Sequence, residues 1–243
     1  PNASDLALVR AIGGLGGTGR AAGLGMWDAY YRGAEGFIRM DWDQLIWPYI
    51  RGGEFSNTLE VGAGWCRNTE LLLNVSDHIW VTDVDPLAVD HCRERFRRSP
   101  GNDKLDYLAV DGATLSGIPS ASITMVYQFD AGVHFHREVI HQYIREFARC
   151  LVPGGSGFFH HSNLGAGIHE VTSDVDPHQN KHWRSNMTAA LFRQYAEEAG
   201  LEMLCQTLVS WGNNSDLDSF ARFWKPVPDK HIEQSCPARL RHR

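Results

Sequence analysis

The sequence predicts an α/β fold, namely a doubly wound, mostly parallel sheet of seven strands with an N-terminal helical cap. From residue 57 onward, apolar runs of strand length alternate with segments of helical period, which is typical of a parallel sheet covered by helices. Near the end of the chain two strand-like runs follow each other with only a polar turn between them. Such a hairpin predicts one antiparallel strand in the otherwise parallel sheet.

Each predicted element has a local signal. Apolar residues at helical spacing between 139 and 151 predict the clearest helix, and the Pro-Gly-Gly run at 153–155 predicts its end. Pro86 favours a helix start, and a polar turn at 212–218 separates the last two strands. The predicted strands are 58–61, 78–82, 105–110, 123–129, 157–161, 201–210 and 220–224, and the intervening helices cover 67–74, 86–98, 139–151 and 187–199.

Two segments do not fit this alternation and divide the chain. Residues 1–55 contain many aromatic side chains but no strong strand, and we interpret them as a cap on the substrate side. Residues 56–226 form the main domain, interrupted by a polar insertion at 162–186 that is too long for an ordinary α/β connection. Residues 227–243 form a C-terminal tail. Long loops at the carboxyl ends of strands commonly build binding sites, so the cap and the insertion are expected to wall a substrate pocket.

Composition excludes several classes of partner. The net charge of −6 argues against nucleic acid, and no apolar run reaches the ~20 residues that a membrane helix needs. The five cysteines are odd in number and lack a C-x-x-C spacing, which predicts reduced thiols rather than a disulfide framework. We therefore expect a cytoplasmic protein that interacts with neither nucleic acid nor membrane. A homodimer stays open.

A glycine turn after the first strand is the strongest functional signal. Gly62 and Gly64 follow that strand directly, and Asp83 comes at the end of the next one, where a carboxylate can bind both ribose hydroxyls. Glu60 precedes the glycines, at a point where a dinucleotide site would face a pyrophosphate. A carboxylate there suits a positively charged ligand. S-adenosylmethionine, which carries ammonium and sulfonium groups, meets this description.

Four motifs in order resemble the class I S-adenosylmethionine-dependent methyltransferases. They are the acid-and-glycine motif at 60–66, the acid motif at 81–86, the second acid motif at 109–112 and the post-helix Pro-Gly-Gly signature at 149–155. Cys66 departs from the family pattern by replacing the third glycine, and Asp85 offers a second register for the ribose contact, although Asp85-Pro86 reads as a helix start. The resemblance implies the following cofactor contacts: Glu60, Gly62, Gly64, Asp83, Asp111, Gly112 and Gln128.

A narrower resemblance concerns the acceptor. Residues 127–135, 158–163 and 183–188 look like those of bacterial methyltransferases associated with sugars and surface glycans. The activity implied is O-methylation of a glycosyl hydroxyl, with S-adenosylhomocysteine as the second product. Trp183 and Arg184 in the insertion and Tyr31 in the cap are the predicted substrate contacts.

An alcohol acceptor needs a general base, and histidine is the usual one near neutral pH. Eight of the twelve histidines lie between residues 134 and 182. The predicted catalytic residues are His160, His161 and His134, together with Asp130, which could orient an imidazole or bind a hydroxyl. Strand alternation directs only one of His160 and His161 to a given face. Oxygen and nitrogen ligands for a divalent metal are present, but their spacing matches no compact motif, so no metal is predicted.

Other readings stay open at the level of sequence. A natural-product O- or N-methyltransferase changes only the acceptor, and a catalytically silent methyltransferase-like subunit would bind a protein instead. A nicotinamide-dependent oxidoreductase has only the G-x-G-x-x-G letters at 14–19 in its favour. No strand pattern precedes those glycines, so a linker or hinge is the better interpretation.

Overall fold

The structure is a computed structural model that describes residue 7 and residues 32–167, 184–211, 213–228 and 237. The predicted contacts Tyr31 and Trp183, the glycine run at 14–19 and most of the polar insertion lie outside these ranges.

The described residues form one sheet of seven strands in the order β3-β2-β1-β4-β5-β7-β6. Strands β1 to β5 pair in parallel, whereas β7 runs antiparallel to both β5 and β6. The predicted doubly wound sheet with a terminal hairpin is therefore confirmed. The strands are β1 Thr58–Val61, β2 Ile79–Asp83, β3 Leu105–Ala109, β4 Ile123–Gln128, β5 Leu151–Ser162, β6 Glu202–Trp211 and β7 Asn214–Trp224.

Helices cover both faces of this sheet. Those of the described residues are α1 Ile38–Asp41, a π-helical turn Trp42–Ile46, α2 Trp47–Ile50, α3 Thr69–Leu72, α4 Pro86–Phe96, α5 Arg137–Cys150 and α6 Ala189–Glu198, with 3-10 turns at Asn102–Lys104, Gly132–His134 and Leu164–Ala166. None of the helices in the described ranges is both long and apolar enough to cross a membrane.

The two faces of the sheet bury two separate cores. On one face, α1, α2 and the turn between them pack on the sheet, with the Tyr49 ring 5.4 Å from that of Phe220. On the other face, α5 and α6 pack around Phe147 and Phe192. Because successive side chains of a strand point to opposite faces, Phe158 lies in the first core and Phe159 in the second.

The starts of two strands, β5 and β7, lie about six residues earlier than predicted. α5 ends at Cys150, before the Pro-Gly-Gly run, and β5 already begins at Leu151. The run therefore belongs to the strand, where Gly154 N–H donates to Lys225 O at 2.8 Å and Lys225 N–H donates to Gly155 O. The predicted polar turn at 212–218 is also too long, because β7 begins at Asn214 and includes Asp218. Asp218 is fully buried where β7 pairs with the end of β5.

Candidate functional site

The turn after β1 has a conformation that only glycine adopts without strain. Gly62 and Gly64 have φ values of +70° and +55°, and a Cβ on Gly62 would lie 2.7 Å from the Cβ of Ala131. The backbone N–H groups of Gly62 and Ala63 both donate to Thr82 O, at 2.9 and 3.1 Å. The turn is thus held against the carboxyl end of β2, where a ligand would lie beside it.

Asp83, at the end of β2, binds this turn directly. One carboxylate oxygen, Oδ2, accepts from Gly64 N–H at 2.8 Å, and Oδ1 accepts from Asp85 N–H at 2.9 Å. Asp85 instead caps α4, because its Oδ1 accepts from Leu87 N–H at 3.0 Å. This geometry agrees with the interpretation of Asp85 as the helix start and leaves Asp83 as the acid beside the glycine turn.

Glu60 is a buried carboxyl beneath the turn. Its Oε2 accepts a hydrogen bond of 2.5 Å from the Thr69 hydroxyl, whereas Oε1 is buried without a hydrogen-bond partner among the described residues. Burial raises the pKa of Glu60 to about 8, and the negative charge of Asp83 adds to that shift. A cationic group placed at Oε1 would supply the missing donor and favour the ionised form.

The remaining predicted cofactor contacts lie at neighbouring strand ends. Asp111 follows β3, and its carboxylate closes a turn by accepting from the backbone N–H groups of Ala113 and Thr114. Gly112 has a φ of +76° and is buried. Gln128, at the end of β4, accepts from His160 N–H at 3.2 Å, and its Nε2 is buried without a hydrogen-bond partner in the ranges described.

His160 is fully buried on the face of β5 that carries Phe158. Its Nδ1 accepts from the backbone N–H of Asp130 at 3.2 Å, so the ring hydrogen lies on Nε2, which donates to Asp218 at 3.0 Å. Both ring nitrogens are therefore engaged. The arrangement lets His160 hold the backbone that follows β4.

Asp218 connects His160 to Arg184, near the end of the insertion. Both carboxylate oxygens of Asp218 also accept from the Arg184 guanidinium, at 2.8 and 2.9 Å. Burial alone would raise the pKa of Asp218, but the hydrogen bond from His160 and the charge of Arg184 outweigh burial and lower it below its ordinary value. The predicted substrate contact Arg184 is thus bound to a buried carboxylate, with 16% of its side chain still exposed.

Asp130 is held from two sides. Its backbone has a φ of +71°, which is unusual for a residue other than glycine, and its carboxylate forms an ion pair with Arg67 at the end of the glycine turn. Backbone conformations of this kind persist where the surroundings enforce them and are common at functional sites. Arg67, Asp130, His160, Asp218 and Arg184 form a continuous network that we call the acceptor-side network.

His161 points to the opposite face, as strand alternation predicts. Its ring stacks on Phe192 with centroids 4.5 Å apart, and Nδ1 donates to Ser162 O at 2.8 Å. Burial lowers the pKa of His161 to about 4, so the ring is neutral at physiological pH. It is separated from the acceptor-side network by the sheet.

His134 ends the 3-10 turn that follows β4 and is half-buried. This turn packs closely, since a Cβ on Gly132 would lie 2.5 Å from His160 O. Ser185 N–H donates to Val133 O at 2.9 Å, so the segment that carries Arg184 lies against the turn that carries His134. Within the described residues no group of three or more His, Cys, Asp or Glu side chains is placed to hold a metal ion.

The prediction of reduced cysteines without disulfides is wrong. Cys66, at the end of the glycine turn, is disulfide-bonded to Cys92 of α4, and Cys205 is also disulfide-bonded. An odd count and the lack of a C-x-x-C spacing do not exclude a bridge between distant positions, because the fold brings the turn and α4 together. The cytoplasmic localisation, which depended in part on that argument, stays a prediction.

Two residues of the site were missed by the sequence analysis. Arg67 was predicted only as the first residue of a helix, which begins instead at Thr69, and Asp218 was assigned to a polar turn. Leu217 just before Asp218 and the aromatic residues Phe220 and Phe223 after it are of types that strands favour, a signal that could have extended β7 to Asp218.

Residues 58–155 match a family model described as a methyltransferase domain. No curated protein matches the chain. A solved S-adenosylmethionine-dependent methyltransferase from Clostridium acetobutylicum is 13% identical, with a TM-score of 0.61 over 83% of this chain and 100% of that one. The N-methyltransferase NodS from Bradyrhizobium japonicum, solved with S-adenosylhomocysteine, is 20% identical, with a TM-score of 0.60 over 79% of this chain and 88% of that one.

A third solved structure is the geranyl diphosphate C-methyltransferase from Streptomyces coelicolor. It is 11% identical, with a TM-score of 0.57 over 71% of this chain and 72% of that one. At these identities the likeness establishes the shared fold. The methyltransferase-domain match indicates S-adenosylmethionine as the cofactor, while the N- and C-methyltransferases among the structures show that the fold does not determine the acceptor.

Proposed function

We propose that this chain is an S-adenosylmethionine-dependent methyltransferase that methylates a hydroxyl of a polar small molecule, a sugar or glycan being the best candidate. The observation that carries the cofactor is the buried Glu60 with its unbonded Oε1, beside a glycine turn that Asp83 binds at Gly64. An ammonium group would donate a hydrogen bond to Glu60 Oε1, and the glycine turn allows close approach of a nucleoside. A dinucleotide pyrophosphate would meet the negative charge of Asp83, and it has no donor to offer to Glu60 Oε1.

The acceptor-side network supports a polar acceptor. It places a carboxylate and guanidinium groups at the carboxyl ends of β4 and β5, next to the half-buried His134. Such groups bind hydroxyls by charge-assisted hydrogen bonds. Asp130 and Arg184 are the side chains that we assign to acceptor binding, because each keeps an exposed part.

We assign the general base to His134, because it is half-buried at the end of the turn that follows β4 and this turn contacts the segment that carries Arg184. Both ring nitrogens of His160 hold other groups, and His161 lies in the core on the opposite face. In the proposed reaction the acceptor oxygen attacks the methyl carbon, the carbon–sulfur bond breaks, and its electrons remain on the sulfur of S-adenosylhomocysteine. The proton of the hydroxyl passes to the imidazole of His134.

Calorimetric titration tests the cofactor assignment first. S-adenosylhomocysteine is expected to bind with micromolar affinity, NADH not at all, and Asp83→Ala is expected to abolish binding. Binding of NADH without binding of the nucleoside would overturn the proposal in favour of a nicotinamide enzyme. Absence of both would favour a silent subunit.

Acceptor panels then test the hydroxyl and the base. Monosaccharides and their methyl glycosides are compared with primary amines, and turnover is followed as S-adenosylhomocysteine release. His134→Gln is expected to lower kcat at least about 100-fold, as loss of a general base does, with S-adenosylhomocysteine affinity unchanged. His78→Gln is the matched control, because His78 lies just before β2, at the amino-terminal ends of the parallel strands and so away from the proposed site. Turnover of the amines alone would contradict a hydroxyl acceptor.

A further inference from the structure

The disulfide between Cys66 and Cys92 joins the two elements that surround the glycine turn. Cys66 ends the turn, and Cys92 lies in α4, the helix that follows Asp83, with the two Cα atoms 5.6 Å apart. Both cysteines are buried. The bridge therefore fixes the separation between the turn and the helix on the side where Asp83 binds Gly64.

Cys66 occupies a strained backbone position. Its φ of +63° lies in the left-handed region, which residues other than glycine rarely adopt, and its N–H donates to Ala63 O at 2.9 Å. Such a conformation persists only when its surroundings enforce it. The covalent bond to α4 is one constraint, and a second comes from Arg95, whose guanidinium donates to Trp65 O at 2.8 Å.

The reduced protein has a weaker substitute for this constraint. Cys92 Sγ lies 3.2 Å from Gly64 O, so that a Cys92 thiol could donate a hydrogen bond to the turn. A thiol is a weak donor, whereas the disulfide is covalent. Reduction would replace the covalent bond between Cys66 and α4 by a weak contact between Cys92 and Gly64 O. It would also release Cys66 from the constraint on its positive φ.

We infer that the Cys66–Cys92 pair is a redox-dependent tether of the cofactor turn: the disulfide form holds the turn ready for S-adenosylmethionine, and the dithiol form binds the cofactor more weakly. This inference rests on the proposed function. In the switching step a dithiol reductant attacks the bridge, the Cys66–Cys92 bond breaks, the reductant forms its own disulfide, and its two electrons and two protons end on the cysteine thiols. Because both sulfurs are buried, exchange requires the turn to open.

Linkage gives the inference a second, reciprocal consequence. If oxidation strengthens binding of S-adenosylhomocysteine by a given factor, bound S-adenosylhomocysteine must disfavour reduction of the bridge by the same factor. A bridge that merely stabilises the fold, with no effect on the turn, would leave both equilibria independent of each other.

The experiment measures S-adenosylhomocysteine affinity by calorimetry in air-oxidised protein and again after equilibration with dithiothreitol, with the state of each cysteine read by alkylation and peptide mass. The oxidised protein is expected to bind about tenfold more tightly. Cys66→Gly restores a residue that accepts positive φ and removes the bridge, so its affinity is expected to be unaffected by dithiothreitol. Cys205→Ser is the matched control, because it removes the other described disulfide-bonded cysteine and should keep the redox dependence.

Three results would overturn the inference. They are equal affinity in the two redox states, alkylation of Cys66 and Cys92 in the air-oxidised protein, and a redox dependence that persists in Cys66→Gly. Absence of binding in both states would instead overturn the proposed function, so the two failures are distinguishable. The dithiothreitol concentration for half-reduction, with and without saturating S-adenosylhomocysteine, gives the reciprocal measurement and is expected to rise about tenfold with the ligand.

Discussion

The buried carboxyl of Glu60 predicts that the stability of the ligand-free protein falls as pH rises. Its pKa is about 8 in the folded chain, against an ordinary value of 4.5, and burial is the main cause. Between these values the unfolded chain releases a proton that the folded chain retains. The stabilisation is therefore complete below about pH 4.5 and is lost progressively as pH rises through 8.

The magnitude follows from the same difference. Each pH unit corresponds to about 1.4 kcal/mol, so the full shift corresponds to roughly 4 to 5 kcal/mol as an order of magnitude. Urea unfolding of the ligand-free protein at pH 5, 6, 7 and 8 measures it. Other groups also titrate in this range, so the decisive quantity is the difference between the wild type and Glu60→Gln, which keeps the shape and removes the proton exchange. The variant is expected to gain stability relative to the wild type as pH rises.

Ligand binding gives a second test of the protonation of Glu60. At pH 7 Glu60 is mostly protonated, so binding of a cationic ammonium at Oε1 is expected to displace close to one proton. Calorimetry of S-adenosylhomocysteine in phosphate and in Tris, which differ in ionisation enthalpy, counts that proton. Glu60→Gln should release none, while Glu54→Gln, which removes an exposed carboxyl before β1, should behave as the wild type. A Glu60→Gln variant with the pH dependence and proton release of the wild type would refute the reasoning.

Three further substitutions test other parts of the structure by urea unfolding. Gly62→Ala is expected to lower the free energy of unfolding by about 1 to 3 kcal/mol more than the control Gly200→Ala. Both glycines have positive φ, but only at Gly62 would the added Cβ also lie against Ala131. Equal losses of stability in the two variants would contradict the close contact. The wild type is expected to lose roughly 3 kcal/mol of unfolding free energy as pH falls from 6.5 towards 4, because the pKa of His161 is lowered in the folded chain and protonation then favours the unfolded chain. His161→Phe should abolish this loss. The same loss of stability at low pH in the variant would contradict the prediction. Asp218→Asn should lower the free energy of unfolding by about 3 kcal/mol or more, because it leaves the Arg184 charge without its buried partner. A loss as small as that for an exposed ion pair would show that water reaches the network.

Much of the fold could be predicted because its signals are local. The Thr58–Val61 strand, the proline start of α4 and the amphipathic α5 depend on residues that are neighbours in the chain, and the structure confirms them. The glycine turn and its two acids could also be predicted, since the carboxyl ends of adjacent parallel strands meet at one edge of a sheet. The alternation of His160 and His161 across β5 followed from strand geometry alone.

The partners of those residues could not be predicted in the same way. Asp218 was interpreted as part of a turn because most of residues 212–218 are polar, but pairing with β5 buries it beside His160. Cys66 and Cys92 are 26 residues apart and carry no spacing signal, yet packing of α4 against the glycine turn joins them. Each of these contacts links groups that only the assembled sheet brings together.

The sequence by itself determined the order of strands and helices along the chain, the glycine turn and the acids at the adjacent strand ends, because hydrophobic period, turn chemistry and strand-end position are properties of short segments. Tertiary structure alone decided that both ring nitrogens of His160 are engaged, that His161 is buried on the opposite face, and that Cys66 is joined to Cys92. Hydrogen-bond partners, burial and pKa depend on residues distant in the chain, and no local pattern specifies them.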